Sequence, residues 1–301
     1  MNVQKSFANP ANREGGTNKT AVGSLYLVGT PIGNLEDMTF RAIRTLREVD
    51  LIAAEDTRQT RKLLTHFEIT TRLVSYHEHN KQASGQELIR MLQEGRQIAL
   101  VSDAGLPAIS DPGADLVREA AEQGIPVIPV PGANAALSAL IVSGLSTERF
   151  LFAGFPPRDK KSLQQWLNQL FAQNCTLLMY ESPHRVHKTL EMIGNIMEGR
   201  RIVMARELTK RHEEIVRGTV QECIGWLEQH PPLGEYCLVV EGANDDQSEN
   251  QESQWWSSFS IEEHVRHYES ASGDRKEAMK RAAADRGISK RDVYNIIMKK
   301  D

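Results

Sequence analysis

Val101-Ser102-Asp103-Ala104-Gly105-Leu106-Pro107-Ala108-Ile109-Ser110-Asp111-Pro112-Gly113 is the stretch that decides how the chain is read. An apolar run, Ile98 to Val101, leads into it, and a segment of helical period, Ala114 to Glu122, follows Asp111-Pro112. Proline suits the start of a helix, where its missing N–H has no partner to lose. Between strand and helix lie two Asp, two Pro, two Gly and two Ser. Connections of this kind usually take about 2 to 6 residues. A longer loop with so much fixed backbone is costly to order as a mere link, so it is read as a binding loop.

Outward from this loop, short apolar runs alternate with helical segments. Leu25 to Val28, Leu51 to Ala54, Leu73 to Tyr76, Ile98 to Val101 and Val127 to Val130 read as strands of a mostly parallel sheet covered by helices. Phe40, Ile43, Leu46 and Val49 recur every three residues after Asp37 and Thr39, either of which suits the cap. Open α/β sheets bind ligands outside the carboxyl ends of their strands. Three further strand-end loops therefore matter. Val28-Gly29-Thr30-Pro31-Ile32-Gly33-Asn34 contains neither GxGxxG nor GxxxxGK[ST], which argues against the usual dinucleotide fold, a P-loop and the commonest methyltransferase fold. Ala54-Glu55-Asp56-Thr57-Arg58 sets two carboxylates and an arginine after a buried strand, although Asp56 or Thr57 also reads simply as the cap of a helix containing Arg61 to Phe67. Val130-Pro131-Gly132-Ala133-Asn134 puts small residues where backbone approaches a ligand or another element.

A second alternation follows. Strands are expected at Phe150 to Ala153, Thr176 to Tyr180, Ile202 to Ala205, Glu214 to Arg217 and Tyr236 to Val240, with helices around Leu163 to Phe171, Arg185 to Met197 and Val220 to Glu228. The strands at Ile202 and Glu214, joined by a polar turn, admit an antiparallel pairing. Ala243 to Gln254 is too polar to form a core and reads as a linker. Ile261 to Tyr268, Arg275 to Asp285 and Lys290 to Met298 then read as three short helices, with Gly287 ending the second and Ser289 capping the third. The expected division is a disordered tail over 1–20, α/β domains over 21–132 and 133–242, a linker over 243–258 and a helix-turn-helix-like module over 259–301.

Composition fits this plan. The 301 residues, 40% hydrophobic and 25% charged, are enough for two cores. A net charge of -4 means that any nucleic-acid partner is met by a local basic face. Cys175, Cys223 and Cys237 are odd in number without CxxC spacing, and read as buried reduced thiols of a cytoplasmic protein. Val127 to Val142 is too short and too interrupted to span a bilayer, and the first twenty residues lack the apolar segment of a secretory signal, so no membrane anchor is expected. His77-Glu78-His79 lacks a third ligand, so no metal is expected.

Taken with Gly154-Phe155-Pro156-Pro157-Arg158, Tyr180-Glu181-Ser182-Pro183-His184-Arg185 and Ala205-Arg206-Glu207-Leu208-Thr209-Lys210, the four loops resemble the tetrapyrrole methylase superfamily. The resemblance is to its ribosomal RNA branch in particular, the small subunit methyltransferase I proteins, and covers Leu25 to Gly242. The helices from Ile261 are similar to that family's C-terminal module. The resemblance implies two α/β domains of the class III methyltransferase type with a small helical module. It also implies a homodimer that binds S-adenosyl-L-methionine between the domains and methylates a cytidine ribose 2'-hydroxyl in the decoding region of 16S ribosomal RNA, with that RNA or the 30S subunit as partner. Carried onto this sequence, it implies cofactor contacts at Ile32, Asp103, Ala104, Leu106, Ala133, Asn134, Tyr180, Ala205, Glu241 and Gly242. The superfamily usually has a small residue, Ser or Cys, where Asn134 stands.

A ribose hydroxyl is a weak nucleophile and gains from a positioned carboxylate, His or Lys. The candidates at strand ends are Glu55, Asp56, Asp103, Glu181, His184, Glu207 and Lys210, with Glu55 and Asp56 favoured and Glu207 behind them. Phosphates call for cations: Arg58, Arg61 and Lys62, Arg158 with Lys160 and Lys161, Arg185, Arg206, Lys210 and Arg211, and Lys290 and Arg291 in the module. Two other readings use the same fold: C-methylation of a small tetrapyrrole, as in corrin or sirohaem synthesis, and a non-catalytic ribosome-assembly protein that binds RNA. The helical module and the Arg-rich strand ends favour RNA, and an intact Asp103 loop favours catalysis.

Overall fold

The computed structural model describes residues 4, 22–243, 256, 259–286 and 288–298. In the first half, β1 (Leu25–Val28), β2 (Leu51–Ala54), β3 (Leu73–Ser75), β4 (Ile98–Val101) and β5 (Val127–Val130) form an all-parallel sheet in the order β3-β2-β4-β1-β5. Every residue of β2 and β4 is buried. Strands covered on both faces are free to be apolar throughout, which is why these two lack alternation. Side chains point to opposite faces in turn. Ile52 and Ala54 therefore join Leu46 and Leu64 of α1 (Phe40–Glu48) and α2 (Thr57–His66), while Leu51 and Ala53 join Leu88, Leu92 and Leu116 of α3 (Lys81–Gln93) and α4 (Ala114–Glu122).

Caps resolve the two open choices. Thr39 Oγ1 accepts the Ala42 N–H at 3.1 Å and starts α1. Asp56 accepts the Arg58 N–H at 2.8 Å, so Asp56 is the cap and α2 begins at Thr57. α3 has no counterpart among the expected elements. Its first turn is polar, and its large buried side chains, Leu88, Ile89 and Leu92, are crowded toward its end.

The second half comprises α5 (Ala135–Ser143), β6 (Phe150–Phe152), α6 (Lys160–Phe171), β7 (Thr176–Glu181), α7 (Val186–Ile196), β8 (Arg201–Arg206), β9 (Glu214–Thr219), α8 (Val220–Gln229) and β10 (Tyr236–Val240). Its sheet runs β6-β7-β10-β8-β9, with β6 and β7 parallel and the other pairs antiparallel, including β8 with β9. The last strand is thus inserted between two earlier ones in reversed direction. Tyr236, its first residue, lies opposite Glu181 and Arg206, the last residues of β7 and β8. Helices α6, α7 and α8 bury Leu163, Leu190, Ile193 and Leu227 on one face. On the other face α5 packs Ala136, Ala139 and Leu140 against Leu178, Val203 and Val239, and Ile32 of the first half joins that cluster. Cys223 and Cys237 are buried free thiols, pushed up to about 11 and about 12 by desolvation, while Cys175 is half-buried. Thiols so far from ionisation are weak nucleophiles and poor metal ligands.

α9 (Ile261–Ser272), α10 (Arg275–Asp285) and α11 (Lys290–Met298) share a small core of Val265, Ala278, Met279, Ala282 and Val293. Ser260 and Glu263 form a capping box at α9, and the Ser289 hydroxyl accepts the Asp292 N–H at 3.2 Å at α11. The expected tail, apart from Gln4, most of the expected linker and Gly287 lie outside the described residues. Among the described residues no helix is long and apolar enough to cross a membrane, and no three potential ligands gather for a metal.

Candidate active site

A cavity of about 400 Å³ opens between the two sheets, within the range of about 300–1,000 Å³ usual for small-molecule sites. Its wall draws on strand ends in both halves. Ile32 comes from beyond β1, Ala104 to Leu106 and Ile109 to Asp111 from the loop after β4, and Asn134 and Ala135 from the start of α5. Phe155 follows β6, Tyr180 to Pro183 end β7, Ala205, Glu207, Leu208 and Lys210 end β8, and Glu235 to Cys237 begin β10.

The long loop after β4 is locked rather than loose. Thr30 and Gly105 exchange backbone hydrogen bonds of 2.8 and 3.1 Å, and the Thr30 hydroxyl donates to the Ser102 carbonyl at 3.2 Å. Gly105 has φ 80°, a backbone that other residues rarely adopt, although a Cβ there would meet Ile32 at 3.4 Å and the Ala133 carbonyl at 3.5 Å only in ordinary contact. Left-handed backbone also occurs at Ala108 (φ 68°) and Ser110 (62°) in this loop, and at Glu207 (51°) and Thr209 (67°) in the loop after β8. Such residues cost about 1–3 kcal/mol each and persist where the surroundings over-determine them; these two loops hold two apiece, and Glu68 (54°), after α2, is the other among the described residues.

The carboxylates at the site differ sharply in electrostatics. Asp111 lines the cavity, and burial, aided by the neighbouring Asp103 charge, pushes it up to about 6 against a stabilising hydrogen bond from Ser102. Glu55, just past β2, is raised first by burial and then by Asp111 and Asp103. Asp103 is raised by burial, and its carboxylate accepts the Asp56 N–H at 3.0 Å. Asp56 is held down at about 2, because Arg58 grips both its oxygens, at 2.7 and 3.1 Å, besides the helix-cap bond. Burial works to raise Glu207, but Lys210 Nζ at 2.9 Å and the Glu235 N–H at 3.0 Å outweigh it and hold it low. Gly234, at φ 72°, makes room for that carboxylate: a Cβ there would collide with it. Tyr180 is pushed up to about 12 by burial, and its oxygen accepts the Ala136 N–H at 3.2 Å, which fixes the ring against α5.

Of the expected cofactor contacts, Ile32, Ala104, Leu106, Asn134, Tyr180 and Ala205 line the cavity, with Asp103 and Ala133 beside them in the same loops. The Asn134 side chain is engaged in capping α5 through the Leu137 N–H at 2.9 Å. Glu241 and Gly242 do not line the cavity. They follow the far end of β10, where Glu241 pairs with Arg201 at 2.6 Å and Gly242 packs on the Cys175 backbone. Because β10 runs against β7 and β8, its first residues rather than its last reach the cavity.

Of the seven catalytic candidates Glu181, Glu207 and Lys210 are on the wall, while the favoured pair, Glu55 and Asp56, stands behind the loop after β4. Among the expected RNA contacts, Arg58, Arg61, Lys62, Arg158, Lys160, Lys161, Arg211, Lys290 and Arg291 are exposed. Arg58, Arg61 and Lys62 border a shallow groove along α2. Arg185, Arg206 and Lys210 are instead committed internally, to the Pro156 and Pro157 carbonyls, to Glu214, and to Glu207 with Glu235. Asp111 and Phe155 were present in the quoted motifs but carried no assigned role, and nothing local marks Tyr236 or Cys237.

Residues 24–224 match the profile of the tetrapyrrole (corrin/porphyrin) methylases. The chain is 58% identical over 274 residues to the ribosomal RNA small subunit methyltransferase I of Halalkalibacterium halodurans, a match covering 91% of this chain and 94% of the relative. It is 54% identical to the protein of that name from Bacillus subtilis, over 92% of this chain and 94% of the relative. Among solved structures it is similar to a cobalamin-biosynthetic cobalt precorrin-4 methyltransferase, with a TM-score of 0.55 and 16% identity over 72% of this chain and 94% of that one. At that identity the likeness is one of fold.

Proposed function

Because the chain belongs to the tetrapyrrole methylase family, in its ribosomal RNA small subunit methyltransferase I branch, and is thus S-adenosylmethionine-dependent, we propose that it methylates a cytidine ribose 2'-hydroxyl in the decoding region of 16S ribosomal RNA. The observation that carries this reading is the 58% identity over 91% of the chain, well beyond the region common to the wider family. Fold likeness to a tetrapyrrole enzyme does not by itself assign a substrate.

The residues present fit the cofactor. Ile32, Leu106, Ile109, Leu208 and the Tyr180 ring offer an apolar wall for a purine, and four carboxylates, Asp111, Glu181, Glu207 and Glu235, outnumber the single Lys210 around a cationic guest. Ile32, Ala104, Leu106, Asn134, Tyr180 and Ala205 would hold it, flanked by Asp103 and Ala133. When bound, the cofactor supplies a methyl group made electrophilic by a positively charged sulfur. The protein's own part is to hold the acceptor oxygen in line in a water-poor cleft and to take its proton.

Asp111 is the base in this reading. It lines the cavity, and with a pKa of about 6 it is ionised at neutral pH yet far more basic than Asp56. Asp103 adds to its proton affinity from behind, Asp56 orients Arg58, and Glu207 serves as a fixed charge tied to Lys210. Arg58, Arg61, Lys62, Arg158, Lys290 and Arg291 would meet RNA phosphates, on the small subunit or its RNA. A homodimer belongs to the same reading. It is supported by the apolar residues that α5 leaves exposed, Leu137, Val142 and Ile141, the last at 74%. The cytoplasm is the compartment such a substrate requires.

The test is transfer of radiolabelled methyl from S-adenosylmethionine to small ribosomal subunits from cells lacking this protein, with a small tetrapyrrole offered in parallel. Label on the subunit RNA supports the reading. Label on the tetrapyrrole alone, or none despite cofactor binding, sinks it.

A further inference from the structure

We propose that Phe155 is a stacking platform for a nucleobase of the acceptor RNA at the mouth of the cleft, with Arg158, Lys160 and Lys161 on the same segment taking the adjoining phosphates. The inference rests on the RNA reading above and goes beyond it in naming the base subsite. Phe155 lines the cavity, yet 55% of its surface faces solvent. Its ring lies 5.4 Å from that of Tyr180, which in turn meets Phe152 edge-on at 5.0 Å, so three aromatic rings lead from the strand to the lip. Ile109 forms an apolar neighbour on the wall from the loop after β4, itself 40% exposed.

The exposure of Phe155 is not that of a loose loop. Pro156 and Pro157 fix their own φ angles. Arg185 donates to both proline carbonyls, at 2.9 and 2.7 Å, and sits 3.5 Å from the fully buried Glu181 carboxylate, which accepts the Thr189 hydroxyl at 2.7 Å. The Tyr180 N–H donates to the Gly154 carbonyl at 3.0 Å. Buried ionic and backbone bonds thus hold a large apolar ring half in water, uncovered by the described residues. The same short stretch continues into Arg158, Lys160 and Lys161, all exposed, with Asp159 engaged in capping α6 through the Ser162 N–H at 2.8 Å. An aromatic face beside free cations is the arrangement that binds unstacked bases of single-stranded RNA.

Phe155→Ala and Phe155→Trp test it, with half-exposure ensuring that neither disturbs the core. Expected for the alanine variant is a rise in KM for small subunits of about 5- to 150-fold, the ratio matching about 1–3 kcal/mol of stacking, with kcat and cofactor affinity by calorimetry unmoved. Tryptophan should restore KM. A single-stranded oligoribonucleotide carrying 2-aminopurine should be quenched by the wild type and the tryptophan variant, and not by alanine. Weakened cofactor binding with unchanged subunit KM would overturn the proposal by assigning the ring to the cofactor, as would no change in either. A wild type that quenches through Phe155 yet transfers no methyl to subunits would uphold the stacking site while refuting the methylation reading.

Discussion

Replacing Asp111 with asparagine removes a carboxylate of the cavity wall that is raised to about 6 while keeping its shape. The folded protein holds this carboxyl at about 6 against an ordinary 3.8, so the fold favours the protonated form. At about 1.36 kcal/mol per pH unit this gap corresponds to at most about 3 kcal/mol, and partial solvent access reduces it to about 1 kcal/mol. Because the folded value is raised, its stabilising contribution is complete below about pH 4 and is lost as pH rises through about 6. At pH 8 the wild type carries a buried charge that Asp111→Asn lacks. The variant should therefore melt higher at pH 8, by about 2 to 4 °C per kcal/mol, with the difference closing toward pH 4. Methyl transfer should move the other way, falling about 10²- to 10⁴-fold, the usual contribution of a general base. The wild-type single-turnover rate should climb with pH through about 6, whereas the variant's should not. A variant that methylates at full rate, or that is less stable than the wild type at pH 8, would refute the reasoning.

Gly234→Ala should break the Glu207, Lys210 and Glu235 arrangement, since left-handed backbone and a collision with the Glu207 carboxylate coincide there; a loss of about 1–3 kcal/mol is expected in a urea titration, together with weaker cofactor binding by calorimetry. Glu241→Ala should leave cofactor affinity unchanged in the same calorimetric assay, because its side chain pairs with Arg201 at the far end of β10. Arg61→Ala with Lys62→Ala should weaken subunit binding and flatten its salt dependence by nearly two counterions in a titration against ionic strength, without altering cofactor affinity.

The first sheet was legible because β2 and β4 are short apolar runs bounded by turns, and the loop after β4 stood out through its prolines, glycines and aspartates. α3 and α5 escaped for opposite reasons: the first turn of α3 is polar, and α5, Ala-Ala-Leu-Ser-Ala-Leu-Ile-Val-Ser, is apolar nearly all round and shows no face. The reversal of β10 depends on pairing with strands some thirty to sixty residues earlier, as in Cys237 with Ala205 and Tyr180, and no local pattern encodes it. That single unknown moved Glu241 and Gly242 away from the cavity and brought Tyr236 and Cys237 to it. Asp111 was visible as a residue, but its raised proton affinity arises from burial and from Asp103, which only the folded loop supplies. Arg185 and Lys210 read like any surface cation until their carbonyl and carboxylate partners appear.

The measurement that bears most directly on the proposed reaction is mass spectrometry of nuclease fragments from small-subunit RNA, taken before and after incubation with the protein and S-adenosylmethionine. The expected result is one added methyl on the ribose of a cytidine in the decoding region, in the wild type and not in Asp111→Asn. A methyl on a base, on another region of the RNA, or on no nucleotide at all would contradict it.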